Sequence, residues 1–145
     1  MILVIEDNVD DSFLLTRELA RSDMATEIRV IGDGRDALDF IFQTSPAPFV
    51  VFLDLKLPRL SGIEVLKEIR QEPRLHDLPV IVMTSSLNPK DADDCARLGV
   101  SAFLPKPVSL DLFKKIIGAE YSGHTLIRRP IDPHFIDVAT TMVEA

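Results

Sequence analysis

Short apolar runs alternate along this chain with longer segments in which apolar residues recur at helical spacing. The apolar runs predict strands at residues 2–5, 28–31, 50–53, 80–84 and 102–104. Two of the helical patterns consist of the sets Ala37, Leu38, Ile41, Phe42 and Leu112, Phe113, Ile116, Ile117. Such alternation is typical of a parallel sheet covered by helices on both faces. The predicted fold class is therefore α/β, a doubly wound five-stranded parallel sheet whose five β/α units end near Gly118.

Two helix starts carry recognisable capping residues. Ser61 followed three positions later by Glu64 is a capping-box pattern, in which each residue bonds the backbone of the other. Asn88 followed by Pro89 predicts an N-cap with proline at the first helical position.

Charged and hydroxyl side chains lie where the predicted strands end. Glu6 and Asp7 follow the first strand, Asp54 follows the third, Thr84 ends the fourth and Lys106 comes shortly after the fifth. In open α/β sheets, ligands bind beyond the carboxyl ends of the strands, where the strand order reverses. These side chains should therefore converge at one edge of the sheet.

The convergence predicts a site for a cation and a phosphoryl group. Two carboxylates about 4 Å apart repel by ~4 kcal/mol at an effective dielectric near 20, so a positive group is expected between them. Carboxylate and water oxygens suit Mg²⁺, for which Mn²⁺ can substitute. Lys106 and Thr84 are chemically suited to hold oxygens of a phosphoryl group.

Composition narrows the class of protein. The chain of 145 residues allows one domain and a tail, and its apolar runs are far shorter than the ~20 residues of a membrane span. No signal peptide precedes the first strand, so a cytoplasmic location is expected. A net charge of -7 without a basic stripe argues against nucleic-acid binding. Cys95 is the single cysteine and is predicted to be a buried structural thiol.

Four sequence segments together resemble the receiver domain of two-component response regulators. They are Glu6-Asp7-Asn8, the run from Phe52 to Pro58 with Gly62 after it, Thr84-Ser85-Ser86, and Lys106-Pro107. The resemblance implies a (βα)5 flavodoxin-like receiver fold over residues 1–120, followed by a C-terminal extension at 121–145. It also implies a stand-alone signalling module rather than an enzyme, apart from the chemistry of its own phosphorylation and dephosphorylation.

The same resemblance assigns roles to individual residues. Asp54 would be the phosphoacceptor, taking its phosphoryl group from a histidine kinase. Glu6, Asp7, Asp54 and the backbone carbonyl of Lys56 would bind the metal ion. Lys106 would contact the acyl phosphate and would precede a cis peptide bond to Pro107. Thr84 would move toward the phosphate, and Phe103 would be the switch aromatic that turns inward with it.

Some residues depart from the family pattern or have simpler explanations. Glu6 stands where aspartate is commoner, and its longer arm reaches the metal directly or through water. Phe103 lacks the hydroxyl group of a tyrosine, so it must act by packing alone. Asp10 and Asp11 are predicted to start a helix, and Asp33 and Asp36 to serve turn and cap chemistry.

Three other classes of protein are alternatives to the receiver. A haloacid-dehalogenase-type phosphatase needs a second aspartate where this chain has Lys56. A flavin carrier needs a phosphate loop where Glu6 and Asp7 would repel the phosphate. A phosphorylation-independent dimeric adaptor with a receiver fold is the remaining alternative.

The tail at 121–145 is predicted to be an arm with a short amphipathic helix. Its apolar face consists of Phe135, Ile136, Ala139, Met142 and Val143. So short a helix needs a docking partner, which is either its own domain or, as we prefer, a second copy in a homodimer. The arm and the sequence Leu57-Pro58-Arg59 resemble stand-alone regulators that partner bacterial phytochrome histidine kinases.

Overall fold

The computed structural model describes residues 1–21, 27–85 and 88–108. Their strands are β1 (Ile2–Ile5), β2 (Ile28–Ile31), β3 (Val50–Asp54), β4 (Val80–Thr84) and β5 (Ala102–Pro105). Their helices are α1 (Val9–Arg21), α2 (Gly34–Gln43), α3 (Gly62–Gln71) and α4 (Pro89–Arg97), with a 3-10 turn at Pro73–Leu75. The predicted strands are confirmed, and β3 and β5 each extend one residue further than predicted.

All strand pairings in the sheet are parallel, and the order is β2-β1-β3-β4-β5. The chain steps from β1 outward to β2 and then crosses back to place β3 on the other side of β1. The strand order therefore reverses between β1 and β3, which confirms the doubly wound prediction and marks the place where ligands bind in such sheets.

The core lies on both faces of the inner strands. Every residue of β1, β3, β4 and β5 is buried, although successive side chains point to opposite faces. Both faces are therefore covered, as parallel sheets require. β2, at one end of the strand order, is the exception, and its four residues are half-buried or exposed.

The helix predictions hold at the sites that the structure describes. The capping box of Ser61 and Glu64 is present, and the Asn88 side chain accepts a hydrogen bond from the Lys90 amide. Ala37, Leu38 and Ile41 are buried in α2, whereas Phe42 at the end of that set is 38% exposed. The second predicted set, beginning at Leu112, lies outside the described residues, and so does the arm at 121–145.

Cys95 is fully buried, as predicted for a structural thiol. Burial raises the pKa of its thiol to about 12, so the reactive thiolate is scarce at neutral pH. Among the described helices, none has the length and apolar content that crossing a bilayer requires.

Arg70 joins α3 to the end of α4. Its Nε atom donates to the Leu98 carbonyl at 2.7 Å, and Nη2 donates to the Gly99 carbonyl at 3.2 Å. Nη1 donates to the Leu78 carbonyl at 2.8 Å, beyond the 3-10 turn. These carbonyls include groups that a helix terminus leaves without intrahelical partners. The arginine therefore stabilises both the segment after the 3-10 turn and the segment after α4.

Replacing Arg70 with alanine is expected to lower the free energy of unfolding by about 2–3 kcal/mol, because half-buried carbonyls lose their donors. Urea denaturation measures this loss. Lys67→Ala, at an exposed site on the same helix, is the control and should change stability by less than ~0.5 kcal/mol. Equal losses in the two variants would contradict the role given to Arg70.

Candidate functional site

The sheet brings the predicted site residues to one edge. Glu6 and Asp7 follow β1, and Asp54 is the last residue of the neighbouring β3, where Ile5 pairs with Leu53. On the other side of β3, Thr84 ends β4 and pairs with Pro105 of β5. The Lys106 amide donates to the Thr84 carbonyl at 2.8 Å, which fixes the start of the segment that carries the lysine.

The acidic side chains form a compact cluster. Oxygen atoms of Glu6, Asp7 and Asp54 all lie within 4.8 Å of one another. Glu6 and Asp54 are buried, at 3% and 4% exposed, whereas Asp7 is exposed. The cluster is therefore open to solvent on the side of Asp7 and shielded on the other.

Lys106 is the cation that faces this cluster. Its Nζ atom lies 2.5 Å from Glu6 Oε2, 2.9 Å from Asp54 Oδ2 and 3.1 Å from Asp11 Oδ2. Burial disfavours the charged ammonium, but the three carboxylates outweigh it and raise the pKa of Lys106. The lysine is thus positively charged, and the cluster around it contains four carboxyl groups once Asp7 is counted.

Burial of Glu6 opposes the ionisation of its carboxyl group. Burial raises the pKa of its carboxyl group to about 7, although Lys106 acts in the opposite direction. Oε1 accepts a hydrogen bond from the Asn8 amide at 3.0 Å. Oε2 forms the ion pair with Lys106, but within the described residues no well-directed hydrogen bond reaches this buried oxygen. Because three carboxyl groups lie close together and supply only oxygen donors, the donor set fits a divalent metal ion.

The backbone beyond β3 holds Asp54 in place. The Lys56 amide donates to Asp54 Oδ1 at 3.1 Å, so the two oxygens of Asp54 have different partners. Gly62 at the start of α3 packs closely on this segment, since a Cβ atom there would lie 2.5 Å from the Leu55 Cα atom. Its amide also donates to the Leu55 carbonyl at 2.9 Å. The predicted use of the Lys56 carbonyl as a metal ligand stays a prediction.

Thr84 and Phe103 both lie inside the protein, at 2% and 3% exposed. Thr84 is at the carboxyl end of β4, as predicted, and Phe103 pairs with Val82 across the sheet. Their proposed switch motion stays a prediction. The peptide bond between Lys106 and Pro107 is cis, as the resemblance implied.

For two pairs of aspartates, the sequence predicted the local roles but not the contacts with distant residues. Asp10 and Asp11 do lie in the first turn of α1, but Asp11 also binds Lys106, which is 95 positions away. Asp33 is the N-cap of α2, as expected for its turn, but Asp33 and Asp36 also form ion pairs with Arg59. No local spacing signals either contact, because both depend on how distant segments pack.

Comparison with known proteins agrees with this geometry. The family model of the response regulator receiver domain matches residues 2–118. Response regulator Rcp1 of Synechocystis sp. is 39% identical over 126 residues, which cover 83% of this chain and 86% of that protein. The Mn²⁺-bound structure of Rcp1 superposes with a TM-score of 0.72 at 38% identity, covering 88% of this chain and 97% of that chain.

Two further solved structures come from regulators named for phytochromes. The bacteriophytochrome response regulator AtBRR has a TM-score of 0.72 at 39% identity, covering 80% of this chain and 88% of that one. The phosphorylated cyanobacterial phytochrome response regulator RcpA has a TM-score of 0.70 at 33% identity, covering 79% and 86% respectively. With its fold, its acidic cluster and these relatives, the chain belongs to the response regulator receiver domain family and is related to the phytochrome response regulators.

Proposed function

We propose that this chain is a single-domain response regulator that accepts a phosphoryl group on Asp54 from a histidine kinase. The observation that carries the proposal is the contact between Lys106 Nζ and Asp54 Oδ2 at 2.9 Å, beside the carboxylates of Glu6 and Asp7. A buried carboxylate that is held by an ammonium group and lies next to a cation site is suited to receive a phosphoryl group. The phosphorylated state named for RcpA supports the same chemistry.

Glu6, Asp7, Asp54 and the Lys56 backbone carbonyl would hold Mg²⁺, or Mn²⁺ in its place. The clustering of three carboxyl groups beside the Lys106 ammonium group and the oxygen-only donor set support this assignment. When bound, the ion neutralises negative charge on the phosphoryl oxygens. The Mn²⁺-bound form of Rcp1 supports a divalent ion of this kind in a related protein.

The transfer itself needs little from the protein beyond positioning and charge. An Asp54 oxygen attacks phosphorus, the bond from phosphorus to the kinase histidine nitrogen breaks, and that nitrogen keeps the electron pair. Hydrogen bonding of Oδ1 to the Lys56 amide limits rotation of the Asp54 carboxylate. The Lys106 ammonium and the Thr84 hydroxyl group stabilise the charge that the phosphoryl oxygens bring.

The signal would pass from the phosphate through Thr84 and Phe103 to the adjoining surface, as a shift between two conformations. Because Phe103 has no hydroxyl group, its contribution is packing alone. Output is an altered protein–protein interaction, and the chain acts as a signalling module rather than an enzyme. The relation to AtBRR and RcpA supports a phytochrome histidine kinase as its partner. A cytoplasmic location is part of the same proposal.

Incubation with acetyl phosphate and Mg²⁺ is expected to add the mass of one phosphoryl group to the protein, as measured by intact mass spectrometry. Asp54→Asn should add none, because an amide cannot form the acyl phosphate. Asp10→Asn, on the exposed start of α1, is the matched control and should be modified like the wild type. Absence of any Asp54-dependent gain would favour the alternative, a phosphorylation-independent dimeric adaptor.

We further propose that the arm at 121–145 joins two copies into a homodimer. The support is its apolar sequence pattern, since these residues lie outside the described structure. In light scattering, a chain ending at residue 120 should then have the mass of one copy, whereas the full chain has the mass of two. A truncated chain that still has the mass of two copies would show that the arm does not join them.

A further inference from the structure

Arg59 is the single non-glycine residue with a positive φ among residues 1–21, 27–85 and 88–108, at 63°. It lies in the loop between β3 and α3, which begins directly after the phosphoacceptor strand. Residues other than glycine and asparagine rarely adopt this left-handed backbone conformation, because their Cβ atom crowds the backbone. The loop therefore contains local strain that other contacts must offset.

Two ion pairs to the neighbouring turn supply such contacts. Arg59 Nε donates to Asp33 Oδ2 at 2.7 Å, and Nη2 donates to Asp36 Oδ1 at 3.3 Å. Asp33 is already fixed, because its other oxygen accepts from the Asp36 amide at 3.0 Å and caps α2. The hydrogen bond from Arg59 lowers the pKa of Asp33 to about 2, so this carboxylate stays ionised at neutral pH.

The turn that carries Asp33 also touches both segments of the acidic site. On one side, the Glu6 amide donates to the Ile31 carbonyl at 3.1 Å, at the start of the turn. On the other side, Gly34 approaches the loop so closely that a Cβ atom would lie 2.7 Å from the Leu60 carbonyl oxygen. The turn at residues 32–33 and the start of α2 therefore lie between the segment that presents Glu6 and the loop at residues 55–61.

We propose that Arg59 is a positioning residue for the cation site. Its ion pairs with Asp33 and Asp36 hold the loop at residues 55–61 against the turn, and so fix the loop's first residues beside the acidic cluster. Without the ion pairs the strained loop relaxes, and the divalent cation binds more weakly although no ligand has changed. This inference rests on the proposed function, because it concerns the same cation site.

Two substitutions separate the ion pairs from other roles of these residues. Arg59→Asn removes the guanidinium group but keeps a residue that tolerates the left-handed conformation. Asp33→Ser removes the carboxylate but keeps an oxygen that can cap α2. Glu27→Gln is the control, because it removes the exposed ion pair between Arg29 and Glu27 at the start of β2.

Isothermal titration calorimetry with Mg²⁺ measures the dissociation constant, and urea denaturation in EDTA measures stability. Each single variant should raise the dissociation constant by about 5-fold, less than the 10–100-fold typical when a group bonded directly to a ligand is lost. The double variant should bind no more weakly than Arg59→Asn, since Arg59→Asn already removes the interaction that Asp33→Ser removes. Arg59→Lys should give an intermediate constant. In all these variants the free energy of unfolding should change as little as in Glu27→Gln, because exposed ion pairs contribute little to stability.

The outcomes distinguish this inference from the function on which it rests. A wild type that binds no Mg²⁺ would overturn the proposed cation site and the role of Arg59 together. A wild type that binds Mg²⁺ with variants of unchanged affinity would overturn the role of Arg59 alone. Additive losses in the double variant, or losses that only follow a fall in stability, would also overturn it.

Discussion

Repulsion among carboxylates at one edge of the sheet is the interaction on which the site depends. Carboxyl oxygens of Glu6, Asp7 and Asp54 lie within 4.8 Å of one another, and Asp11 brings a fourth carboxyl group to Lys106. Isolated, such an arrangement would be costly, since charges at this separation interact by several kcal/mol even in a polarisable environment. Lys106 offsets part of this repulsion through three short contacts. The remaining negative charge is what a divalent cation would neutralise.

The fold makes this crowding possible because its strands are rigid and buried. The residues of β1 and β3 are fully buried, so the side chains at their carboxyl ends cannot move apart without disturbing the core. Contacts with neighbouring backbone also fix the residues at the ends of these strands. Gly62 packs on the backbone beside Asp54, and the amide of Lys56 bonds to the Asp54 carboxylate. A preorganised site of this kind needs little rearrangement when charge arrives.

Much of this architecture could be predicted from the sequence because its signals are local. Buried parallel strands are short apolar runs, helix starts carry side chains that bond their own backbone, and site residues follow strand ends. Glu6, Asp54, Thr84 and Lys106 were placed correctly by that rule alone. Their chemical roles do not follow from placement, and they stay proposals until phosphorylation and metal binding are measured.

Contacts between distant segments could not be predicted in the same way. Arg59 meets Asp33 across 26 positions and Arg70 reaches Leu98 across 28, and each contact depends on how helices and loops pack. Phe42 has the spacing of a core residue but is 38% exposed, one residue before the end of α2. Sequence periodicity describes one element at a time, so it gives no signal for such interactions.

Crystallising the protein with saturating Mn²⁺ tests the cation site most directly, because anomalous scattering locates the ion without assuming its position. One anomalous peak is expected at the carboxyl edge of the sheet, bounded by oxygens of Asp7, Asp54 and the Lys56 carbonyl, with Glu6 bound directly or through water. A peak elsewhere, or none at this edge, would contradict the claim that the excess negative charge forms a cation site.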